Sequence, residues 1–148
     1  MPVNRVEKMH ESKQFSLERH TGEYRTWPLC SRLIQDGITL NLTLPGYDLL
    51  RQYETVDDYL FVTDYDCPFE EITNFILVDK ACRRILCKRS FGWMYATFLL
   101  DDLFWQDERH FTAIISGHPF QFTIRKYFVP FLYPKLGVSW PASIFANR

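Results

Sequence analysis

Residues 110–125 carry the pattern that most restricts how this chain can fold. Apolar and polar side chains alternate on both sides of Gly117-His118, which suit a type II′ turn with glycine in its first central position. That turn puts six apolar residues on one face, as the pairs Phe111/Ile124, Ala113/Phe122 and Ile115/Phe120. Ile114 is the apolar exception on the polar face. A slip of one residue would exchange the two faces, so the pattern predicts an antiparallel hairpin with a defined register.

The rest of the chain also favours strands over helices. Aromatic residues make up 17% of the 148 residues, and planar or β-branched side chains fit a pleated, half-buried surface. Short apolar runs recur between turn signals such as Asp36-Gly37 and Pro45-Gly46. The predicted fold is therefore mainly β. We expect a single-domain antiparallel sheet curled into a sandwich or partial barrel, with one or two short helices.

Local patterns give more specific predictions. Further strands are expected at 59–63, 74–78, 85–88, 93–100 and 103–105. A first hairpin is expected to join 15–19 to 23–27, and residues 47–53 have the spacing of a short helix or turn. Glu70 and Glu71 suit the first turn of a second short helix.

The two ends of the chain differ from its centre. Residues 1–14 are polar and are expected to form a flexible tail, which leaves 15–148 as one β-rich domain. The end of the chain from Tyr127 combines prolines with aromatic residues. We expect it to wrap irregularly over a sheet edge and to protect that edge from pairing with another molecule.

Composition excludes several classes of protein. Apolar residues make up 47% of the chain, which is too much for a disordered protein, and the net charge is only −1. That balance argues against binding nucleic acid by bulk neutralisation of phosphates. No run reaches the roughly 20 apolar residues of a membrane helix, and the first residues lack the apolar core of a secretory signal. We expect a cytoplasmic protein without a membrane or nucleic-acid partner.

Charge is segregated in the middle of the chain. No Lys or Arg lies between Arg51 and Lys80, although eight carboxylates do. Five cations follow at once, at Lys80, Arg83, Arg84, Lys88 and Arg89. Such separation steers association with a cationic partner. The cations themselves suggest either a nucleic-acid contact or an internal balance for the acidic segment, and the absence of RNA-binding signatures favours the balance.

No metal-binding or catalytic motif accompanies these charges. Asp64 and Asp66 form a D-x-D pair near Glu70 and Glu71, but the fixed offsets and turn glycine of a calcium loop are missing. Carboxylates at 101–102 and 107–108 flank predicted turns, where acids are usually exposed. The four cysteines lack the paired spacing of a zinc site, and the four histidines lie in no nucleophile motif. We therefore expect no metal, no cofactor and no enzymatic activity.

In these respects the chain resembles bacterial immunity proteins that are paired with polymorphic or contact-dependent toxins. The resemblance rests on the acidic stretch from Glu54 to Asp79, on the aromatic residues within it, and on the lack of catalytic residues. It implies a non-catalytic inhibitor that neutralises a cognate toxin domain, frequently a basic nuclease. The charge pattern assigns partner binding to Glu54, Asp57, Asp58, Tyr59, Asp64, Tyr65, Asp66, Glu70 and Glu71.

Two other functions fit the same sequence. A small enzyme or ligand-binding β-barrel would line its cavity with Trp93, Tyr95, Trp105 and Phe122. A structural subunit would dock through the proline-rich aromatic tail. An aromatic cavity and a packed aromatic core are indistinguishable in sequence, so these residues favour neither function.

Overall fold

The structure, a computed structural model, describes residues 11–65, 72–92, 99–129 and 132–141. These residues form eleven strands and one turn of 3-10 helix, Tyr24–Thr26. The strands are β1 (Phe15–Leu17), β2 (Cys30–Gln35), β3 (Ile38–Pro45), β4 (Asp48–Glu54), β5 (Asp58–Asp64), β6 (Thr73–Asp79), β7 (Ile85–Phe91), β8 (Leu100–Trp105), β9 (His110–Ile115), β10 (His118–Ile124) and β11 (Leu136–Ser139). All pairings between these strands are antiparallel.

The strands form three open sheets that stack in layers. The central sheet has the order β4-β5-β6-β7, and the outer sheets have the orders β1-β2-β3 and β11-β10-β9-β8. Six of the seven residues of β5 and of β6 are buried, because an outer sheet covers each face of the central one. Strands covered on both faces carry continuous apolar runs rather than an alternating pattern. The mainly β prediction is confirmed, in its sandwich form.

Two aromatic cores join the layers. In the larger one, between the central sheet and β8–β11, Phe111 stacks on Phe122 with ring centroids 4.7 Å apart. In the smaller one, Phe15 of β1 meets the edges of Tyr59 and Phe61, each at 4.9 Å. Fully burying an aromatic side chain of this size contributes about 1.5–3 kcal/mol. The layers are therefore held together mainly by apolar packing.

The hairpin predicted at 110–125 is present, but its turn lies one residue earlier. Its cross-strand pairs are Ile115/His118, Ala113/Phe120 and Phe111/Phe122. The turn residues are thus Ser116 and Gly117, whose φ angles of 49° and 82° match a type I′ turn. Each pair is displaced by two residues from the predicted register. A displacement of two retains the faces, and all six predicted apolar side chains are buried.

The strands expected at 59–63, 74–78, 85–88 and 103–105 are confirmed as parts of β5, β6, β7 and β8. The short helix expected at 47–53 is wrong, because this segment pairs with β5 as strand β4. The expected partner of residues 15–19 is also wrong: β1 pairs with β2, and Tyr24–Thr26 is a 3-10 turn. The strand expected from Trp93 and the helix at Glu70-Glu71 lie outside the described residues, except that Leu100 begins β8.

Residues near both ends of the described chain take part in backbone pairing. The N–H of Ser12 donates to the carbonyl of Gln52 at 2.8 Å, and Glu11 forms a bridge with Tyr53, so these two residues contact β4. At the other end, β11 pairs with β10 where an irregular wrap was expected. The segment therefore adds the outer strand of that sheet by regular pairing.

Candidate functional site

Strand β5 divides the predicted partner-binding residues between two ends of the central sheet. Glu54, Asp57 and Asp58 lie at the β4–β5 turn, whereas Asp64 and Tyr65 lie at the far end of β5. A strand of this length spans about 20 Å, so the two groups do not share one surface. Asp66, Glu70 and Glu71, the other predicted acids, lie outside the described residues.

At the turn end, two carboxylates are paired with cations of the same chain. Lys80 Nζ lies 2.8 Å from Glu54 Oε1, and Arg109 Nη2 donates to Asp57 Oδ2 at 3.0 Å. The side chains of both acids remain about half exposed, at 52% and 53%. Exposed ion pairs add little stability. They do place a positive charge beside each carboxylate, which weakens its attraction for a second basic group.

Asp58 is a buried structural residue rather than a surface acid. Its side chain is 3% exposed, and Lys135 Nζ lies 2.6 Å from Oδ2 in an ion pair without the alignment of a hydrogen bond. Its backbone N–H donates to the Thr55 hydroxyl at 3.0 Å. Lys135 directly precedes β11, so this ion pair ties the central sheet to an outer one.

Two predicted aromatic contacts are buried as well. Tyr59 and Tyr65 are each 8% exposed. Tyr59 packs in the smaller core, and Tyr65 packs against Tyr47 with ring centroids 5.1 Å apart. Burial therefore removes Asp58, Tyr59 and Tyr65 from the surface that a partner can contact directly, and this corrects the residue assignment made from the sequence.

Several cations that follow the acidic stretch are used within the fold. Lys80 pairs with Glu54, and Arg89 Nε donates to the carbonyl of Leu136 at 2.8 Å. Asp79 Oδ1 accepts the N–H groups that begin the return into β7, those of Arg83 and Arg84, at 2.8 and 3.1 Å. Burial opposes ionisation of Asp79, but these donors and the two guanidinium charges lower its pKa below the usual value. These contacts support the internal-balance interpretation.

A groove of about 820 Å³ opens between β1 and β4. Each of these strands lies at the edge of its own sheet. Residues 15–20 form one wall, residues 47–50 and Gln52 form the other, and Trp27 lines the same space. The sequence did not indicate this groove, because it requires two strands from different sheets to lie side by side.

At Gln52, hydrogen bonds join the two walls of the groove. There the N–H of Ser12 bonds directly to the Gln52 carbonyl, as between paired strands. One step along, the Gln52 side chain bridges to Phe15: Oε1 accepts the Phe15 N–H at 3.0 Å, and Nε2 donates to the Phe15 carbonyl at 2.9 Å. A side-chain amide thus takes the position that a neighbouring strand would occupy. Beyond Phe15 the groove separates the two walls.

Aromatic rings gather near the other end of the groove, where they form the aromatic cluster His20, Tyr24, Trp27, Tyr47 and Tyr65. Neighbouring ring centroids lie between 5.1 and 5.8 Å apart, in tilted or edge-to-face contacts. Trp27 Nε1 donates to the Thr21 carbonyl at 3.1 Å, and Tyr24 is 45% exposed. Tyr and Trp surfaces held rigid in this way are favourable contacts for a protein partner.

Two carboxylates lie at the same end of the central sheet as the aromatic cluster. Asp48 and Asp64 lie directly opposite each other on β4 and β5, next in sequence to Tyr47 and Tyr65. Of these groove-end residues the sequence pointed to Asp64 and Tyr65 alone. The ring of Trp27 was missed because the segment 23–27 has the pattern of a strand, whereas it forms a turn that folds back onto Tyr47.

The Ser–His contact in this region is not arranged for nucleophilic catalysis. His20 Nε2 lies 2.9 Å from Ser31 Oγ, but Ser31 is fully buried and donates its hydroxyl hydrogen to the Gly46 carbonyl at 2.6 Å. A hydroxyl donates one hydrogen bond, so Ser31 accepts from His20. A histidine that donates its proton to serine does not remove the serine proton. The pair therefore anchors His20.

The other candidate acids serve as local hydrogen-bond acceptors. Asp101 Oδ2 accepts the N–H of Gly117, and Asp102 Oδ1 accepts that of Leu103, both at 2.8 Å. Asp107 accepts the Arg109 N–H and lies 2.8 Å from His110 Nδ1. Burial opposes ionisation of Asp107, yet these contacts lower its pKa. The carboxylates hold turns in place.

The cysteine thiols, and the other side chains that commonly bind metal ions, do not form a cluster in the described residues. Cys30 is exposed, Cys87 is half-buried and Cys82 is buried, and all three are free. Burial, followed by the charge of Asp79, raises the pKa of the Cys82 thiol. Across the described ranges, no three side chains of His, Cys, Asp or Glu converge to hold a metal ion. The predicted acidic metal candidates Asp66, Glu70 and Glu71 fall outside these ranges.

The residues of the two alternative functions, the aromatic cavity and the aromatic tail, differ in burial. Phe122 and Trp105 pack against Phe111 in the larger core, while Trp93 and Tyr95 lie outside the described residues. In the tail, Tyr127 and Leu132 are strongly exposed, at 79% and 85%.

Comparison with protein-family models, with curated protein sequences and with solved structures finds no match to this chain. Within the part of the chain that the structure describes, no helix has the length and apolarity needed to cross a membrane. The geometry described above is therefore the basis for assigning a function.

Proposed function

We propose that this protein is a non-catalytic protein-binding inhibitor, of the type of an immunity protein that neutralises a cognate toxin domain. The observation that supports this most is the aromatic cluster at the end of the groove, with Asp48 and Asp64 at the same end of the central sheet. Basic nucleases, frequent among such toxins, present Lys and Arg side chains. These cations are attracted by carboxylates and bind favourably over aromatic rings.

The polar groups of the groove suit binding better than catalysis. His20 is held by Ser31, and the Glu18 carboxylate accepts the N–H of Arg32 at 2.8 Å. Side chains fixed in this way lose little conformational entropy when a partner binds. An inhibitor needs only to cover the surface of its toxin, so it needs no activated nucleophile and no general base.

We place the centre of the interface at the Asp64 end of β5 rather than at the β4–β5 turn. At the turn, Asp58 and Tyr59, the aromatic residue predicted to contact the partner there, are both buried. At the other end, Tyr24 presents exposed aromatic surface, and Asp48 and Asp64 lie at the same end of the central sheet. Hot spots of binding energy are enriched in aromatic residues of this kind.

Co-expression tests the proposal. If a large reading frame adjoins the gene, the C-terminal domain that it encodes is induced in cells with and without this protein, and growth is measured. We expect growth arrest without the protein and recovery with it. Tyr24→Ala should weaken the recovery, whereas Tyr127→Ala, at an exposed tyrosine in the segment between β10 and β11, should not. No recovery with both proteins present would contradict the function, and equal effects of the two variants would contradict the location.

A further inference from the structure

We propose that the groove binds an extended peptide segment of the partner, which adds to β1 as a further strand and carries a Lys or Arg towards the aromatic cluster. This inference rests on the proposed function only in taking the partner to be a protein. It concerns the backbone of β1, which presents hydrogen-bonding groups to the groove.

The direction of these groups follows from the pairing of β1 with β2. The carbonyl of Gln14 accepts the Asp36 N–H at 2.8 Å, and the N–H of Glu18 donates to the Arg32 carbonyl at 3.0 Å. Backbone groups alternate sides along an antiparallel strand. Phe15 and Leu17 alternate with these β2-facing residues. They therefore direct their N–H and C=O groups away from β2 and towards β4.

Gln52 shows which kind of partner these backbone groups bind. Its side-chain amide bonds to both the N–H and the C=O of Phe15. A peptide amide has the same donor and acceptor as this side chain. Leu17 presents the equivalent groups two residues further along, where Gln52 does not reach and the groove is open. A bound peptide would continue there the pairing that Gln52 begins.

The dimensions and chemistry of the groove favour a short basic strand. From Leu17 to His20 the wall covers about 10 Å, the length of three extended residues. Beyond them lie Trp27 and Tyr47, with Asp48 on the facing wall. A cation within about 6 Å of such rings is attracted to their faces. A helical segment would have no free backbone groups to pair with Leu17.

A matched pair of variants isolates the backbone contribution. Leu17→Pro and Leu17→Ala both remove the leucine side chain, but only proline also removes the N–H. Proline is tolerated on an edge strand where the N–H does not face the neighbouring strand. The probe is a phage-displayed library of random linear heptapeptides, panned on the wild-type protein. The best sequence is then synthesised for affinity measurement.

We expect enrichment of linear sequences that contain Lys or Arg. The synthetic peptide should bind Leu17→Pro about tenfold more weakly than Leu17→Ala, the scale of a lost hydrogen bond and its unpaired acceptor. In the wild type, amide exchange at Leu17 should slow at least tenfold when the peptide is bound. This second measurement decides the matter if Leu17→Pro fails to fold, which circular dichroism will show.

Failure to enrich any linear sequence would overturn the inference. So would equal peptide affinities for the two folded variants, or unchanged exchange at Leu17 in the wild type. The growth experiment can succeed while these measurements fail. In that case the partner binds through the side chains of the aromatic cluster, and the proposed function stands without the added strand.

Discussion

Replacement of Asp58 by asparagine tests whether this acid is structural. Asp58 and Lys135 are both buried, and their charged atoms lie 2.6 Å apart. At an effective dielectric constant of 20, that distance gives a gross attraction of about 6 kcal/mol. Most of this attraction offsets the cost of removing the two charges from water. Asp58→Asn removes the attraction but leaves the Lys135 ammonium in the same buried position.

The expected loss of stability is therefore large. Removing one member of a buried pair costs about 3–5 kcal/mol. For a chain of this size, that loss lowers the melting temperature by about 6–20 °C. Asp57→Asn is the matched control, since Asp57 is the adjacent acid and its ion pair with Arg109 is exposed. Its expected cost is below about 1 kcal/mol.

Equilibrium unfolding in urea, with calorimetry for the melting temperature, measures both variants. The double variant Asp58→Asn/Lys135→Met should regain much of the lost stability, because it leaves no uncompensated buried charge. The reasoning is refuted if Asp58→Asn costs no more than Asp57→Asn. It is also refuted if Asp58→Asn slows partner association without loss of stability, since Asp58 would then be a surface contact.

Three further predictions concern turns, acid stability and metal. Gly117→Ala should cost about 1–2 kcal/mol in urea unfolding, from positive φ alone. Gly46→Ala should cost roughly 2 kcal/mol more than Gly117→Ala, because the added Cβ would lie 2.6 Å from Thr63 Oγ1. Equal costs for the two variants would contradict this explanation. The folded pKa of Asp79 lies below the unfolded value of 3.8, so its stabilisation is complete above that pH and is lost as pH falls through the folded pKa. Asp79→Asn should therefore lose less stability than wild type on acidification, and identical losses would refute the assignment. Chelation with EDTA should leave the melting temperature unchanged, whereas stoichiometric metal lost together with stability would contradict the account.

The sequence predicted those elements that are determined locally. The faces of β9 and β10 follow from the alternation of their side chains, which a shift of two residues does not change. The turn between them was missed because Ser116 adopts a φ of 49°, which its residue type does not indicate. Residues 47–53 have a helix-like spacing, but the segment forms a strand because it pairs with β5. Local spacing does not reveal that pairing.

The candidate site depended more on distant parts of the chain. Asp58 and Asp64 are close in sequence but lie about 20 Å apart, because β5 between them is fully extended. The partners of Asp57 and Asp58 come from Arg109 and Lys135, far along the chain. The groove likewise requires two sheet edges to meet. Charge pattern alone therefore drew attention to Asp64 and Tyr65, but not to His20, Tyr24, Trp27 and Tyr47 of the aromatic cluster.

The association rate of the toxin domain, measured at several salt concentrations, tests the location of the interface most directly. Two variants each remove two formal negative charges. Asp48→Asn/Asp64→Asn removes them at the end of β5 where the aromatic cluster lies, and Glu54→Gln/Asp57→Asn removes them at the opposite end. We predict that the first slows association about tenfold at low salt and flattens its salt dependence, while the second changes it less than about twofold. The reverse order, or no change with either variant, would contradict the proposed interface.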